Sequence, residues 1–106
     1  MKIISCNVNG IRSAYKKGLI EFINKQNPDV FCLQEIKADE VSLPEELLNI
    51  ADYNVCLNSA NKKGYSGTAI YSKDSPLSIN KKSGIDRFDN EGRIIELTFG
   101  DITIIN

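Results

Sequence analysis

Short apolar runs punctuated by glycine, proline and polar clusters set the rhythm of this chain. Lys2 to Cys6 reads as a strand, closed by an Asn7-Val8-Asn9-Gly10 turn in which glycine takes a backbone shape that other residues resist. Between Ala14 and Gln26 the positions Leu19, Ile20, Phe22 and Ile23 fall on one helical face, and Pro28 stops that helix. Val30 to Leu33, too short for a helix, is a buried strand ending in Gln34-Glu35-Ile36-Lys37. Ser42 and Glu45 have capping-box spacing ahead of a short helix carrying Leu47, Leu48 and Ile50. Strands follow at Tyr53 to Leu57 and Gly67 to Ser72, separated by a polar loop from Asn58 to Gly64. Pro76 marks Leu77 to Ile79 as edge-like, Asn80 to Gly92 reads as a polar loop, and Gly100-Asp101 joins Arg93 to Phe99 with Ile102 to Asn106 as a hairpin.

The β-α-β order at the start predicts parallel pairing with a helix on one face. The pattern as a whole predicts an α/β fold with one mixed sheet and helices on one face. Its other face has no visible cover. An exposed apolar face of that kind predicts self-association through it or through Ile102 to Ile105.

Composition narrows the class. With 106 residues, 42% apolar and 25% charged, the chain is at most one small globular domain. A net charge of −1 means that any polyanion must be met by locally placed lysine and arginine. Cys6, Cys32 and Cys56 lie in apolar strands without metal-type spacing, which predicts reduced core thiols and a cytoplasmic setting. No signal peptide or membrane-length apolar run is visible, so no membrane role is expected. No histidine is present, which removes serine-histidine chemistry and the commonest neutral metal ligand from this segment.

Strands of an open α/β sheet deliver ligands' partners at their carboxyl ends, so Glu35 is a candidate metal carboxylate and Asn7 and Asn9 arrive nearby. Read alone, Gln-Glu-x-Lys is also an ordinary solvated strand end, the asparagines also suit a simple turn, and Lys62-Lys63 also suits a solvated loop.

Four blocks in order change that balance: Asn7-Val8-Asn9-Gly10-Ile11-Arg12, Pro28 to Lys37, Lys63-Gly64-Tyr65-Ser66-Gly67-Thr68-Ala69 and Asn90-Glu91-Gly92-Arg93-Ile94. Together they resemble the amino-terminal part of the exonuclease III family of apurinic/apyrimidinic endonucleases. The resemblance implies residues 1–106 as the amino-terminal part of one endonuclease/exonuclease/phosphatase domain, half of a four-layer α/β/β/α sandwich. It implies Mg²⁺- or Mn²⁺-dependent hydrolysis of DNA phosphodiesters at abasic sites and 3′ ends. Glu35 would be the main metal carboxylate and a catalytic residue, Asn7 a catalytic amide and metal ligand, and Asn9 a weaker ligand where some relatives carry aspartate. Arg12, Lys37, Tyr65 and Arg93 would face DNA. The family's later tyrosine, Asp-x-Asn and Ser-Asp-His segments have no counterpart in these residues, so the segment alone is expected to be inactive. Two alternatives stand beside this: a non-catalytic metal- or partner-binding unit, or a related phosphoesterase acting on phosphoinositides, sphingomyelin or poly(A).

Overall fold

The computed structural model describes residues 1–106. Its elements run β1 (Ile3–Asn7), α1 (Ile11–Lys16), α2 (Leu19–Gln26), β2 (Val30–Gln34), α3 (Glu45–Leu48), β3 (Asn54–Asn58), β4 (Thr68–Ser72), β5 (Ser78–Asn80), α4 (Asp86–Asp89), β6 (Glu96–Phe99) and β7 (Ile102–Ile105). The strands divide into two sheets, a mixed one ordered β1-β2-β4-β3 and an antiparallel one ordered β5-β6-β7. β1 and β2 are parallel, in register from Ile3 opposite Val30 to Asn7 opposite Gln34, as the β-α-β order predicts. β4 runs antiparallel between β2 and β3.

The two faces of the first sheet have separate cores. On one face Phe31, Leu33, Leu57, Ala69 and Tyr71 pack with Ile11, Leu19, Ile23 and Leu47 of the helical layer. On the other, Val30, Cys32, Cys56 and Ile70 meet Ile95 and Leu97 from the second sheet. The single sheet with an open face is therefore corrected. Pairing of β6 with both β5 and β7 spends those strands on one another, and their apolar face then closes over the first sheet. Only β1 escapes this cover, with Ile3, Ser5 and Asn7 exposed.

Other expectations change locally. The long helix is two, because Gly18 takes a left-handed φ of +100° and ends the first before the second starts. Ser42 does not cap α3; its hydroxyl accepts the Asp39 N–H at 3.1 Å, and Pro44 occupies the cap position. The polar loop after β5 contains the short helix α4. Cys32 and Cys56 are buried as expected, but Cys6 is exposed because β1 lies at a sheet edge. Tyr71 crosses the helical core to donate its hydroxyl to the Leu47 carbonyl at 2.6 Å, and burial pushes its phenol well above the ordinary range.

Candidate active site and nucleic-acid interface

The carboxyl ends of β1 and β2 and the amino end of β4 meet at one edge of the first sheet, where the ladder continues into loops. Val8 N–H donates to the Gln34 carbonyl at 3.1 Å, Gly10 N–H to Glu35 at 2.8 Å and Ile11 N–H to Ile36 at 2.9 Å. From the other side, Ile36 N–H donates to Gly67 at 3.1 Å and Lys37 N–H to Ser66 at 2.8 Å. The segment after β2 is thus held between two loops by main-chain bonds.

That hold sustains an unusual backbone. Asn9, Glu35, Lys37 and Ser66 all have left-handed φ, at +46°, +54°, +53° and +50°. For a non-glycine residue this conformation costs on the order of 1 kcal/mol or more, and it persists where neighbouring bonds over-determine it. Gly67 is needed here for space as well, since a Cβ on it would stand 2.7 Å from Ile36 Cγ1.

Glu35 is half-buried, and its carboxylate forms no ion pair; the protein's one salt bridge joins Arg93 to Glu91. Asn7 folds its Oδ1 onto the Asn9 N–H at 3.0 Å, an Asx-type turn that leaves the oxygen a second lone pair. Asn9 Oδ1 accepts from the Lys37 ammonium at 2.6 Å. A cation thus already faces that oxygen, which ties Asn9 to the lysine. No three of the protein's Cys, Asp or Glu side chains form a metal-type cluster. The donors present are hard oxygens on one carboxylate and one carboxamide, which fits an ion of the Mg²⁺ or Mn²⁺ kind that keeps several waters, and does not fit zinc.

A basic surface adjoins this edge. Two grooves, of about 320 and 550 Å³, share Arg12, Lys37 and Gly64 in their walls. Lys62, Lys63 and Tyr65 line the first and Lys16 the second, so a chain of net charge −1 concentrates five cations along one path. Glu35 lines neither groove, although the chain places it two residues from Lys37. At the far end Tyr65, 36% exposed, has Lys62 and Arg93 each 5.4 Å from its ring centre. Arg93 also donates to the Tyr65 hydroxyl at 2.7 Å and to Glu91 Oε2 at 3.0 Å. The Glu91 carboxylate raises the Arg93 pKa further, securing its charge.

Sequence reasoning missed what joins these parts. Gly92, with φ +61°, lies so close to the loop after β3 that a Cβ would stand 2.5 Å from the Asn58 carbonyl oxygen. Asn61 N–H donates to the Asn90 carbonyl at 2.8 Å and Asn58 Nδ2 to the Ile94 carbonyl at 2.8 Å, docking the Arg93 loop against the Tyr65 loop. Asn106 was read only as the end of a strand. A usable signal did exist: Asn7, Gln34, Thr68 and Asn58 share one register row across all four strands, a polar line at a sheet end.

Comparison with known proteins decides the family. A profile of the endonuclease/exonuclease/phosphatase family matches residues 4–106. The chain belongs to that family. Within the family it is 40% identical over 106 residues to an exodeoxyribonuclease of Bacillus subtilis, covering 99% of this chain and 41% of that protein. It is 37% identical over 107 residues to the DNA repair nuclease APEX1 of Danio rerio, covering 99% of this chain and 34% of the relative. Among solved structures of the family, an AP endonuclease from Archaeoglobus fulgidus superposes with a TM-score of 0.82 at 30% identity, over 100% of this chain and 40% of its own. The expected endonuclease/exonuclease/phosphatase family and its α/β architecture are therefore both found, in a segment spanning well under half the length of these relatives.

Proposed function

We propose that this segment is the metal-binding and DNA-backbone-binding part of a divalent-metal-dependent DNA repair nuclease of exonuclease III type, acting at abasic sites and 3′ ends. The observation that carries this reading is Glu35: a carboxylate without an ion pair, on a strained backbone at a sheet end, two residues before the lysine shared by two grooves that together carry five cations. Glu35 and Asn7 would hold Mg²⁺ or Mn²⁺, which when bound supplies Lewis-acid polarisation of a phosphoryl oxygen. Lys37, steadied by Asn9, presents its ammonium to the phosphate backbone, and Arg12 extends that contact. Tyr65 brings an aromatic ring together with two cationic neighbours suited to phosphate. Such contacts set position on the duplex without reading sequence, as suits an enzyme that recognises a missing base. Three unpaired thiols suit a cytoplasmic location.

The isolated segment is proposed to bind without turning over, since it has one candidate metal carboxylate and no histidine. Incubated with Mg²⁺ and a duplex containing one abasic site, it should cut negligibly. Joined to the remaining part of the Bacillus exodeoxyribonuclease it should cut, and Glu35→Gln in that chimera should cost about 100-fold or more. Robust incision by the short chain would refute the division of labour. A chimera made with Glu35→Gln that kept full activity would refute the role of Glu35, and a preference for lipid phosphates would refute the nuclease assignment.

A further inference from the structure

Asn106 joins the two sheets immediately beside the metal strand. Its Nδ2 donates to both the Leu33 carbonyl and the Ala69 carbonyl at 2.9 Å, and its Oδ1 accepts from Gln34 Nε2 at 2.6 Å. Gln34 Nε2 donates in addition to Ser5 Oγ at 3.0 Å. Asn106 is itself fixed by reciprocal main-chain bonds with Ile95, 2.8 and 2.9 Å long. One carboxamide therefore spends all its hydrogen-bonding groups on β2 and β4, and two of its partners belong to the residues directly before Glu35.

The geometry has a consequence for Glu35. Main-chain bonds restrain the 35–37 segment from the β1 side through Gly10 and Ile11, and from the β4 side through Ser66 and Gly67. Both supports are segments beside the first sheet, one following β1 and one preceding β4. Rotation of the strand end toward the second sheet is opposed by Asn106 and Gln34, so the left-handed conformations at Glu35 and Lys37 are braced from three directions. We infer that Asn106, acting through Gln34 and the Leu33 carbonyl, is a positioning residue that fixes the Glu35 carboxylate for metal binding. The inference rests on the reading of Glu35 as the metal carboxylate. Outer partners of a metal ligand are commonly worth 10- to 100-fold in affinity.

The test uses amide NMR spectra of the 106-residue chain, with Mn²⁺ as a paramagnetic probe, on Asn106→Ala and on Thr103→Ala as a control from the same strand. In the unaltered chain Mn²⁺ should broaden the amides of Glu35 and Asn7 first. Asn106→Ala should raise the Mn²⁺ concentration for half-broadening about tenfold, and Thr103→Ala should leave it in place. Asn106→Asp, whose second carboxylate oxygen would face the Leu33 and Ala69 carbonyls where Nδ2 donates, should not recover the loss. Amide exchange supplies a metal-free arm: Ile36 and Lys37 should exchange several-fold faster in Asn106→Ala than in Thr103→Ala, measured relative to core amides such as Ile70. Equal half-broadening in Asn106→Ala and the unaltered chain would overturn the inference. Should the unaltered chain show no selective broadening at Glu35, the metal reading fails, and the exchange arm alone decides the brace: unchanged exchange at Ile36 and Lys37 would sink it.

Discussion

Glu35 and Lys37 share a backbone conformation that neither side chain favours, and the single residue between them, Ile36, is fully buried. Ile36 acts as a peg: its apolar side chain anchors the turn while its two neighbours stay at the sheet edge. The same neighbourhood contains the protein's one buried side-chain polar atom without a partner, Thr68 Oγ1. A buried group left unpaired costs about 1 to 3 kcal/mol, and valine has nearly the same shape. Thr68→Val should therefore raise stability by about that amount, read as a higher urea midpoint at unchanged slope. A lower midpoint would mean that the hydroxyl has a partner in solution. Asp89 illustrates a different residue-scale effect. Its carboxylate accepts from the Ser83 hydroxyl and the Ser83 N–H, each at 2.7 Å, and these bonds hold its pKa below the usual carboxylate range. Because the folded value is the lower one, the loop's stabilisation is complete above the unfolded value of about 4 and is lost as pH falls through the folded value. The Ser83 and Gly84 amide signals should move below about pH 4, and Asp89→Asn should abolish that movement.

At the scale of elements, the docking of the 90–93 segment against the loop after β3 holds Arg93 at Tyr65. Gly92→Ala combines a left-handed φ with a Cβ 2.5 Å from a main-chain oxygen and 2.7 Å from two further main-chain atoms. It should destabilise by about 2 kcal/mol or more and weaken DNA binding beyond what the stability loss explains. Thermal melts and anisotropy titrations on the same variant separate the two effects. Element by element, the legible parts of the fold were those with a local cause. The parallel pairing of β1 and β2 and the β6-β7 hairpin follow from strand period and from the Gly100-Asp101 turn. Ser42 could not be read correctly, because its competing partner Asp39 offers a closed local ring of hydrogen bonds that spacing alone does not reveal. Division into two sheets was illegible for the opposite reason: it depends on which apolar faces meet across long sequence separations. In the site, Asn7 and Glu35 stood out by motif. Asn106 did not, since its partners lie 37 to 73 residues away.

For the molecule as a whole, three stacked layers account for the stability that a lone sheet with an open face would lack. Large apolar side chains remain exposed in several places, Val41, Leu77 and Ile79 among them, and on β1 and β7 they lie at a sheet border: Ile3 at 48% exposure on the former, and Ile102 and Ile105 at 42% and 64% on the latter. Both are edge strands with free main-chain groups and no proline or bulge to guard them. Self-association through these edges is expected to be concentration-dependent, and Ile105→Lys should suppress it in sedimentation equilibrium. A species that stays monomeric at millimolar concentration before the substitution would contradict this. The grooves make a further whole-molecule prediction. Affinity for duplex DNA should fall steeply with added salt, and Lys37→Ala should reduce the slope of log affinity against log salt by about one unit.

The edge placement of β1 also makes this protein addressable by chemistry. Of its three thiols, Cys32 and Cys56 are buried and pushed up in pKa by desolvation, whereas Cys6 stands in the open one residue from Asn7. A maleimide dye or nitroxide should therefore attach at Cys6 alone in the folded state, placing a reporter at the rim of the site with no engineered cysteine required.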